Sequence, residues 1–534
     1  MDTRPLLLAA LMGAAFPTHG ASAPDLATRT AVKIKSFKIE GAKALPEDEL
    51  QALLTPFLGG NLDPAALRRA GNAIEQHYLA RHLLARAVMP PQDVTDGVVQ
   101  VQIVEGHLGQ LRQGKPVATI APARAAGIVS HYMGRGQLMS LDRLDEASGQ
   151  LNTWPGVIAE THLVSGQGPG EIDVQLDMGE RKAWTGSLRA DNEGARSTGA
   201  ARALLDLQAL LPGGGGQTLG GGLAVSEGSQ QLRLEAATPV PLDSLPGLRA
   251  SLYGSALRYR LVTPEFNALD VKGPSSTWGA RLDLAAQRRS HASSDLSLQL
   301  ERRRFDNQAL GVSLARYRLD LASLTASRRI TSPTSRAVTS AALTLSLGRV
   351  DLAGSPNEAE DLAGPRTAGR YALARLSLQH WRPISTTQSL SLRATVQTAS
   401  RNLDVSERLS ATGATALRAY PLGEAYGTRG GYASADWQFN LAGQGHPDTS
   451  LALFVDWAYV QQYKNGSFAG APSHNVMSLG GAGAWVEWQP RPDTSLRLTV
   501  AQPVGGHPNA LVNGHNQDGS RIGTRVWAAV QWSF

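Results

Sequence analysis

The sequence predicts a pair of small α+β modules followed by an all-β, membrane-embedded barrel of about 16 antiparallel strands. Three observations carry this prediction. The chain opens on an export leader, a helix-bearing pattern then occurs twice, and everything from Lys182 to Phe534 alternates with a period of two.

The leader is expected over residues 1–23. Arg4, the apolar run Leu6 to Phe16 and the small residues Ala21-Ser22-Ala23 fit the charged, apolar and cleavage regions of a secretory signal peptide. Pro24 is unfavourable directly after the expected cut and leaves the cleavage bond open. The apolar run is shorter than the roughly 20 residues of a spanning helix. No later stretch reaches that length, so a membrane position requires a closed barrel. The absence of cysteine excludes disulfides, thiolate metal sites and cysteine nucleophiles. A net charge of +6 without a Lys/Arg run among aromatics gives nucleic-acid binding no support.

From Val32 to Leu111 the pattern reads strand, helix, helix, strand, strand. Val32, Ile34, Phe37 and Ile39 suggest an irregular strand. Pro46 with Glu47, Asp48 and Glu49 opens a helix whose N-terminus favours acids. Asp63-Pro64 is a second helix start, and Leu67, Gly71, Ile74 and Tyr78 give that helix one buried stripe. Val99, Val101 and Ile103 alternate as a strand. A weaker copy follows at an offset of about 75 residues: Phe57-Leu58-Gly59-Gly60-Asn61-Leu62 is echoed by Tyr132 to Leu138, each before a helix carrying Leu67 or Leu144. Strands over Val157–Val164 and Ile172–Met178 complete it. The expected modules occupy 32–110 and 111–181, behind a short segment, 24–31.

Beyond Lys182, Trp278, Ala280, Leu282 and Leu284 alternate with Thr277, Gly279, Arg281 and Asp283, and Leu390 to Val396 repeat the scheme. The last residues do so as well: Val526, Ala528, Val530, Trp532 and Phe534 interleave with Arg525, Trp527, Ala529, Gln531 and Ser533. The 353 residues from 182 to 534, at about 22 per strand and connection, give about 16 strands.

The stretches Pro90-Pro91-Gln92-Asp93 with Val104-Glu105-Gly106, Trp154-Pro155-Gly156-Val157 and Ala190-Asp191-Asn192-Glu193-Gly194 together resemble the TpsB two-partner secretion transporters of the ShlB/FhaC/HecB family, in the BamA-like outer-membrane superfamily. Pro90-Pro91-Gln92-Asp93 leading into a strand that ends Val104-Glu105-Gly106 is similar to the end of that family's first POTRA domain. Trp154-Pro155-Gly156-Val157 resembles its second POTRA, and Ala190-Asp191-Asn192-Glu193-Gly194 its entry into the barrel. The terminal aromatics Trp532 and Phe534 resemble the signal read by barrel-assembly machinery.

Between strands ending near Arg401 and starting at Gly431 lies a segment too long for a hairpin turn. Its Leu417-Arg418-Ala419-Tyr420 resembles the family's Val-Arg-Gly-Tyr, on a loop (401–430) that folds back into the barrel. Phe454-Val455-Asp456-Trp457-Ala458 resembles Phe-x-Asp-x-Gly on a barrel strand. Ala419 and Ala458 stand where the family has glycine, which questions the local backbone angle at Ala419. Alternation turns Leu453, Val455 and Trp457 to lipid and Phe454 and Asp456 inward. An Arg418–Asp456 ion pair is therefore expected to pin the loop; Glu424 and Arg429 are read as solvated loop charges.

The resemblance implies periplasmic POTRA domains, an outer-membrane barrel and, as cargo, an unfolded TpsA-type exoprotein such as a hemolysin, adhesin or hemagglutinin-like protein, with its activation left open. It also implies contact with outer-membrane lipid and lipopolysaccharide, and with barrel-assembly machinery during biogenesis. No enzyme activity, cofactor or metal is expected: the 12 histidines form no His-Glu-x-x-His motif. His77 and His82 lie off one face of a helix, and Gly213 to Gly216 read as a turn. Eight residues, 24–31, reach at most about 28 Å, so no plug helix is expected and the loop around Arg418 is the main obstruction. A BamA-type insertase is the chief rival, usually with more POTRA domains; a porin-like pore or a barrel enzyme follows.

Overall fold

The structure is a computed structural model that describes residues 32–61, 63–264, 268–442 and 448–534. The expected signal peptide, the segment 24–31 and Leu62 of the repeat lie outside the described residues. The chain divides into an N-terminal unit and a barrel.

In the N-terminal unit, β1 (Ser36–Glu40), α1 (Glu47–Leu54), α2 (Pro64–Ala80), β2 (Ala85–Val88) and β3 (Val98–Glu105) come first. They form a three-stranded sheet in the order β1-β3-β2, with β1 parallel and β2 antiparallel to β3. Asp63 caps α2 by accepting from the amides of Ala65 and Ala66, leaving proline at a position that needs no donor. Ala70, Gly71, Ile74 and Tyr78 line the buried face of α2 against Val99, Val101 and Ile103. The first strand begins at Ser36 rather than Val32, because Lys33 makes only an isolated bridge to Asn61. Helix α2 stops at Ala80, so His82 is not on it; His82 sits at φ 59° in the turn beyond.

The second sheet repeats the order with β4 (His107–Gln113), α3 (Pro122–Tyr132), α4 (Leu141–Leu151), β5 (Val157–Ser165) and β6 (Glu171–Glu180), arranged β4-β6-β5. Two motif residues of the first module have structural tasks. The Gln92 side chain accepts from the Gln100 amide at 2.6 Å and donates to its carbonyl at 2.9 Å, holding the approach to β3. Buried Glu105 accepts from Tyr78 Oη at 2.9 Å and from the amides of Lys43 and Ala44 at 2.8 and 2.7 Å. Burial, then the Glu105 carboxylate, push the Tyr78 hydroxyl well above the usual tyrosine range.

The barrel strands are β7 (Trp184–Asp191), β8 (Arg202–Leu210), β9 (Thr218–Ser226), β10 (Ser229–Pro239), β11 (Leu248–Arg260), β12 (Lys272–Arg289), β13 (Ala292–Ala309), β14 (Val312–Thr331), β15 (Val338–Asp351), β16 (Gly369–Pro383) and β17 (Gln388–Ala399). Within the next connection lie two short strands, β18 (Leu409–Ser410) and β19 (Tyr426–Gly427). The wall then continues with β20 (Arg429–Asn440), β21 (Thr449–Gln461), β22 (Val476–Arg491), β23 (Thr494–Val504) and β24 (Arg525–Ser533). These close into one barrel of 16 strands in chain order, β24 pairing antiparallel with β7. Closure removes every sheet edge, which a bilayer would otherwise leave without hydrogen-bond partners. Outward positions are apolar and exposed, among them Leu234, Leu252, Trp278, Leu298, Leu345 and Trp457.

The seam between the last and first strands uses two of the sequence motifs. Asn192 donates to the Val526 carbonyl at 3.0 Å and accepts from the Ala528 amide at 2.8 Å. At the other end Phe534 exchanges backbone bonds with Gly186, and its ring lies 5.6 Å from that of Trp184. A side chain on Gly186 would meet that ring at 2.6 Å, so glycine is required there.

Candidate functional site

The connection from β17 to β20, residues 400–428, enters the barrel instead of crossing its rim. A 3-10 turn over Val405–Glu407 and the β18–β19 ladder give it internal structure. Ala411, Leu417, Ala419, Tyr420 and Ala425 pack against Phe454, Ala458, Leu479, Trp485 and Ala501 of the wall.

The tip residue Arg418 is 2% exposed. Its Nε and Nη2 donate to Asp456 at 2.9 and 2.7 Å, and its own amide donates to the same carboxylate at 3.0 Å. The opposite edge meets a second acid: Nη1 and Nη2 donate to Asp436 at 2.9 and 2.8 Å, and Nη2 also faces Ser434 Oγ at 2.7 Å. The guanidinium lies over Phe454, 3.4 Å from the ring centroid. Two carboxylates around one cation leave an excess negative charge, which Arg393 offsets at 3.6 Å from Asp436. Every charged side-chain atom of Arg418, Asp456 and Asp436 thus has a partner, the condition for a buried ion pair to hold rather than destabilise.

Asp456 and Asp436 share this cation because of register. Asp456 lies opposite Ser434 and Asp436 opposite Phe454 across β20 and β21, all four on the inward face. Two indoles complete the latch: Trp485 Nε1 donates to Asp436 at 2.7 Å, and Trp527 Nε1 donates to the Arg418 carbonyl at 2.8 Å. Sequence reasoning named Arg418, Phe454 and Asp456 and missed Ser434, Asp436, Trp485 and Trp527. The inward parity of Asp436 beside outward Trp437 was the available signal.

The two alanines at glycine positions are accommodated. Ala419 has no positive φ; its Cβ instead fills the space above Gly481, where an added Cβ would come within 2.6 Å of it. Ala458 is buried on β21 opposite Tyr432 and Leu479. The reading of Glu424 as a solvated charge is corrected. It is buried, accepts from His507 Nε2 at 2.7 Å and from the Gln517 amide at 2.9 Å, and so ties the loop to the β23–β24 connection. Arg429 is likewise no solvated loop charge: it opens β20 half-buried, and its Nη2 donates to the Ala399 carbonyl at 3.4 Å.

A further anchor holds the loop's first half to other strands. Glu407, 8% exposed, pairs with Arg303 on β13 at 2.6 Å, and Arg303 also contacts Glu301. Asp404 accepts from Tyr317 on β14 at 3.3 Å. The loop therefore touches β13–β14 near its start and β20–β24 at its tip.

Known proteins share this architecture. A sequence model of the haemolysin secretion/activation protein ShlB/FhaC/HecB matches residues 170–483, more than half of the chain, and one of the ShlB-type POTRA domain matches residues 32–106. The heme/hemopexin transporter protein HuxB of Haemophilus influenzae is 22% identical over 473 residues, 86% of this chain and 81% of its own. The outer membrane transporter CdiB of Escherichia coli is 27% identical over 168 residues, 31% of this chain and 28% of its own. The solved structure of CdiB from Escherichia coli superposes with a TM-score of 0.71 at 18% identity, covering 100% of this chain and 97% of that one. BamA from Haemophilus ducreyi lacking POTRA domains 1–3 gives 0.53 at 15% identity, covering 94% and 100%.

Proposed function

Because the chain belongs to the haemolysin secretion/activation family ShlB/FhaC/HecB, we propose that it works as an outer-membrane transporter of two-partner secretion and exports one large TpsA-type exoprotein. The observation that carries the mechanism is the double-acid latch on Arg418, which holds a polypeptide segment across the lumen through which cargo would pass. Transport on this reading requires the tip to leave Asp456 and Asp436, and the loop to shift within the barrel.

Selection belongs to the N-terminal sheets. Strands β1 and β2 flank the first sheet and β4 and β5 the second, so each offers strand edges to which an unfolded segment adds through main-chain bonds, without nucleotide hydrolysis. Insertion of the barrel itself would rely on assembly machinery that reads Trp532 and Phe534. The test is deletion of the gene followed by inspection of secreted proteins and of the outer membrane. Loss of one large exoprotein supports transport, whereas a general loss of other barrels would point to an insertase. Removing residues 32–181 from a correctly inserted barrel should abolish export, and export left intact would overturn the docking role.

A further inference from the structure

Counting strands from Trp184, the connections 310–311, 352–368 and 400–428 lie at the barrel end opposite the one where the chain enters it. With POTRA domains in the periplasm, that end faces the cell surface. On β13–β16, the outward positions approaching it change abruptly from apolar to basic. Register places Leu300, Ala322, Leu347 and Ala372 in one cross-strand row, and the next outward row is Arg302, Asp320, Arg349 and Arg370. Beyond it come Arg304, Arg318 and Asp351, then Arg316 beside Asp306. All six arginines are exposed.

The three aspartates are engaged. Arg302 pairs with Asp320 at 2.6 Å, Arg316 with Asp306 at 3.2 Å, and Arg318 with Asp351. Arg304 and Arg370 have no side-chain hydrogen bond or ion pair among the described residues, and Arg349 has only the Coulombic attraction of Asp351, a carboxylate that Arg318 already binds. Arg349 and Arg370 are also register partners, directly opposite on adjacent strands. Like charges so placed repel and destabilise the pairing unless an anion lies between them. On the other side of the barrel, outward positions near the same end are Tyr459, Ser478, Gln502 and Val526, none charged. Basic groups also occur at this end in exposed Arg258 and Arg260 on β11 and in Arg429 and Lys464 beside β20 and β21, and β13–β16 carry the densest set.

The same sector is concave. A groove of about 1360 Å³ runs from β9 across to it, floored by Leu252, Trp278, Leu300 and Leu347, with Arg302, Asp320, Arg349 and Arg370 along its edge. Leu252, Trp278 and Leu347 are 69%, 65% and 68% exposed, so their side chains face the hydrocarbon. An apolar floor topped by guanidinium groups in excess of the carboxylates beside them fits an amphiphile with several acyl chains and a phosphorylated headgroup in the surface-facing leaflet. Arginine suits this role, because its planar fork binds phosphate oxygens bidentately.

We propose that the outer face of β13–β16 binds the lipid A portion of lipopolysaccharide, with a phosphate bridging Arg349 and Arg370 and acyl chains lying along the groove. Arg302 and Arg304 extend the site toward a second phosphate. This inference rests on the outer-membrane placement of the barrel and on no particular cargo.

The test uses the full chain, extracted from outer membranes and stripped of co-purifying lipid. Bisphosphorylated lipid A, the same lipid A after phosphatase treatment, and phosphatidylglycerol are offered separately, and bound lipid is counted by native mass spectrometry. Bisphosphorylated lipid A should bind about tenfold more tightly than either other lipid. The Arg349→Gln/Arg370→Gln variant should lose about that factor, while Arg328→Gln, outward on β14 near the opposite end, should keep it. Equal binding of dephosphorylated lipid A, or of phosphatidylglycerol, overturns the proposal without any change to the protein. So does a folded double variant that binds as the parent does. If the double variant forms no heat-resistant barrel, Arg370→Gln alone must weaken binding, and unchanged binding overturns the proposal. A wild-type chain that does not fractionate with the outer membrane would show a failure of the transporter reading instead, before any lipid is added.

Discussion

Replacing Arg418 by alanine removes the cation from between two buried carboxylates. Asp456 then keeps only the residue 418 amide, while Asp436 retains Ser434, Trp485 and the more distant Arg393. Breaking a buried pair by deleting one partner costs about 3–5 kcal/mol, so the equilibrium between latched and released loop should move toward release by roughly a hundredfold or more. Asp456→Ala should cost less, about 1.5–3 kcal/mol for hydrogen bonds to a charged group, because the Asp436 side of the fork remains. Arg418→Lys should fall between, since a point charge cannot span both carboxylates as the guanidinium does. The absence of cysteine allows a clean assay. A thiol placed at Ala411, fully buried in the latched loop, should react with maleimide faster in the order parent, Asp456→Ala, Arg418→Lys, Arg418→Ala. Secretion should decline in that order, because transport on this reading needs the tip both to leave and to return to its carboxylates and a freed loop no longer returns, while barrel insertion changes little. Combining Arg418→Ala with Asp456→Ala should be little worse than Arg418→Ala alone. Labelling no faster in Arg418→Ala than in the parent, or fully additive losses in the double variant, would refute the latch.

The second anchor makes an independent prediction: Glu407→Gln should raise thiol reactivity at Ala411 less than Arg418→Ala does, and a matching effect from Arg303→Gln in a double-mutant cycle would identify their ion pair as the cause. Asn192→Ala deletes two side-chain bonds across the seam, worth about 1 kcal/mol each, and should lower the temperature at which the folded barrel loses its heat-resistant gel mobility. Glu105→Ala leaves Tyr78 and two backbone amides of the first module without their acceptor, at about 1–3 kcal/mol for each buried group left unsatisfied. The melting temperature of an isolated 32–181 fragment should drop by several degrees, and an unchanged value would contradict the assigned role.

What the sequence disclosed followed from how far each signal reaches along the chain. Period-two alternation is local, so the outward set Leu453, Val455 and Trp457 and the inward pair Phe454 and Asp456 could be assigned without knowing any neighbour. The Asp63-Pro64 helix start is local as well. Asp436 obeys the same parity, but only the β20–β21 register brings it to the guanidinium, and register is a property of two strands rather than one. Glu424 and Glu407 were harder, because a charge in a loop reads as solvated unless its partner is known. His507 lies 83 residues from Glu424, and Arg303 is 104 from Glu407. A loop that enters a barrel reverses the usual inference, for its charges leave water and must find partners on the wall or pay the desolvation cost. Each carboxylate on this loop that the wall buries is therefore a candidate latch. The same reasoning applies in the opposite direction on the outer face, where Arg349 and Arg370 stand opposite each other without a carboxylate of their own, and the proposed lipid phosphate would supply the missing anion.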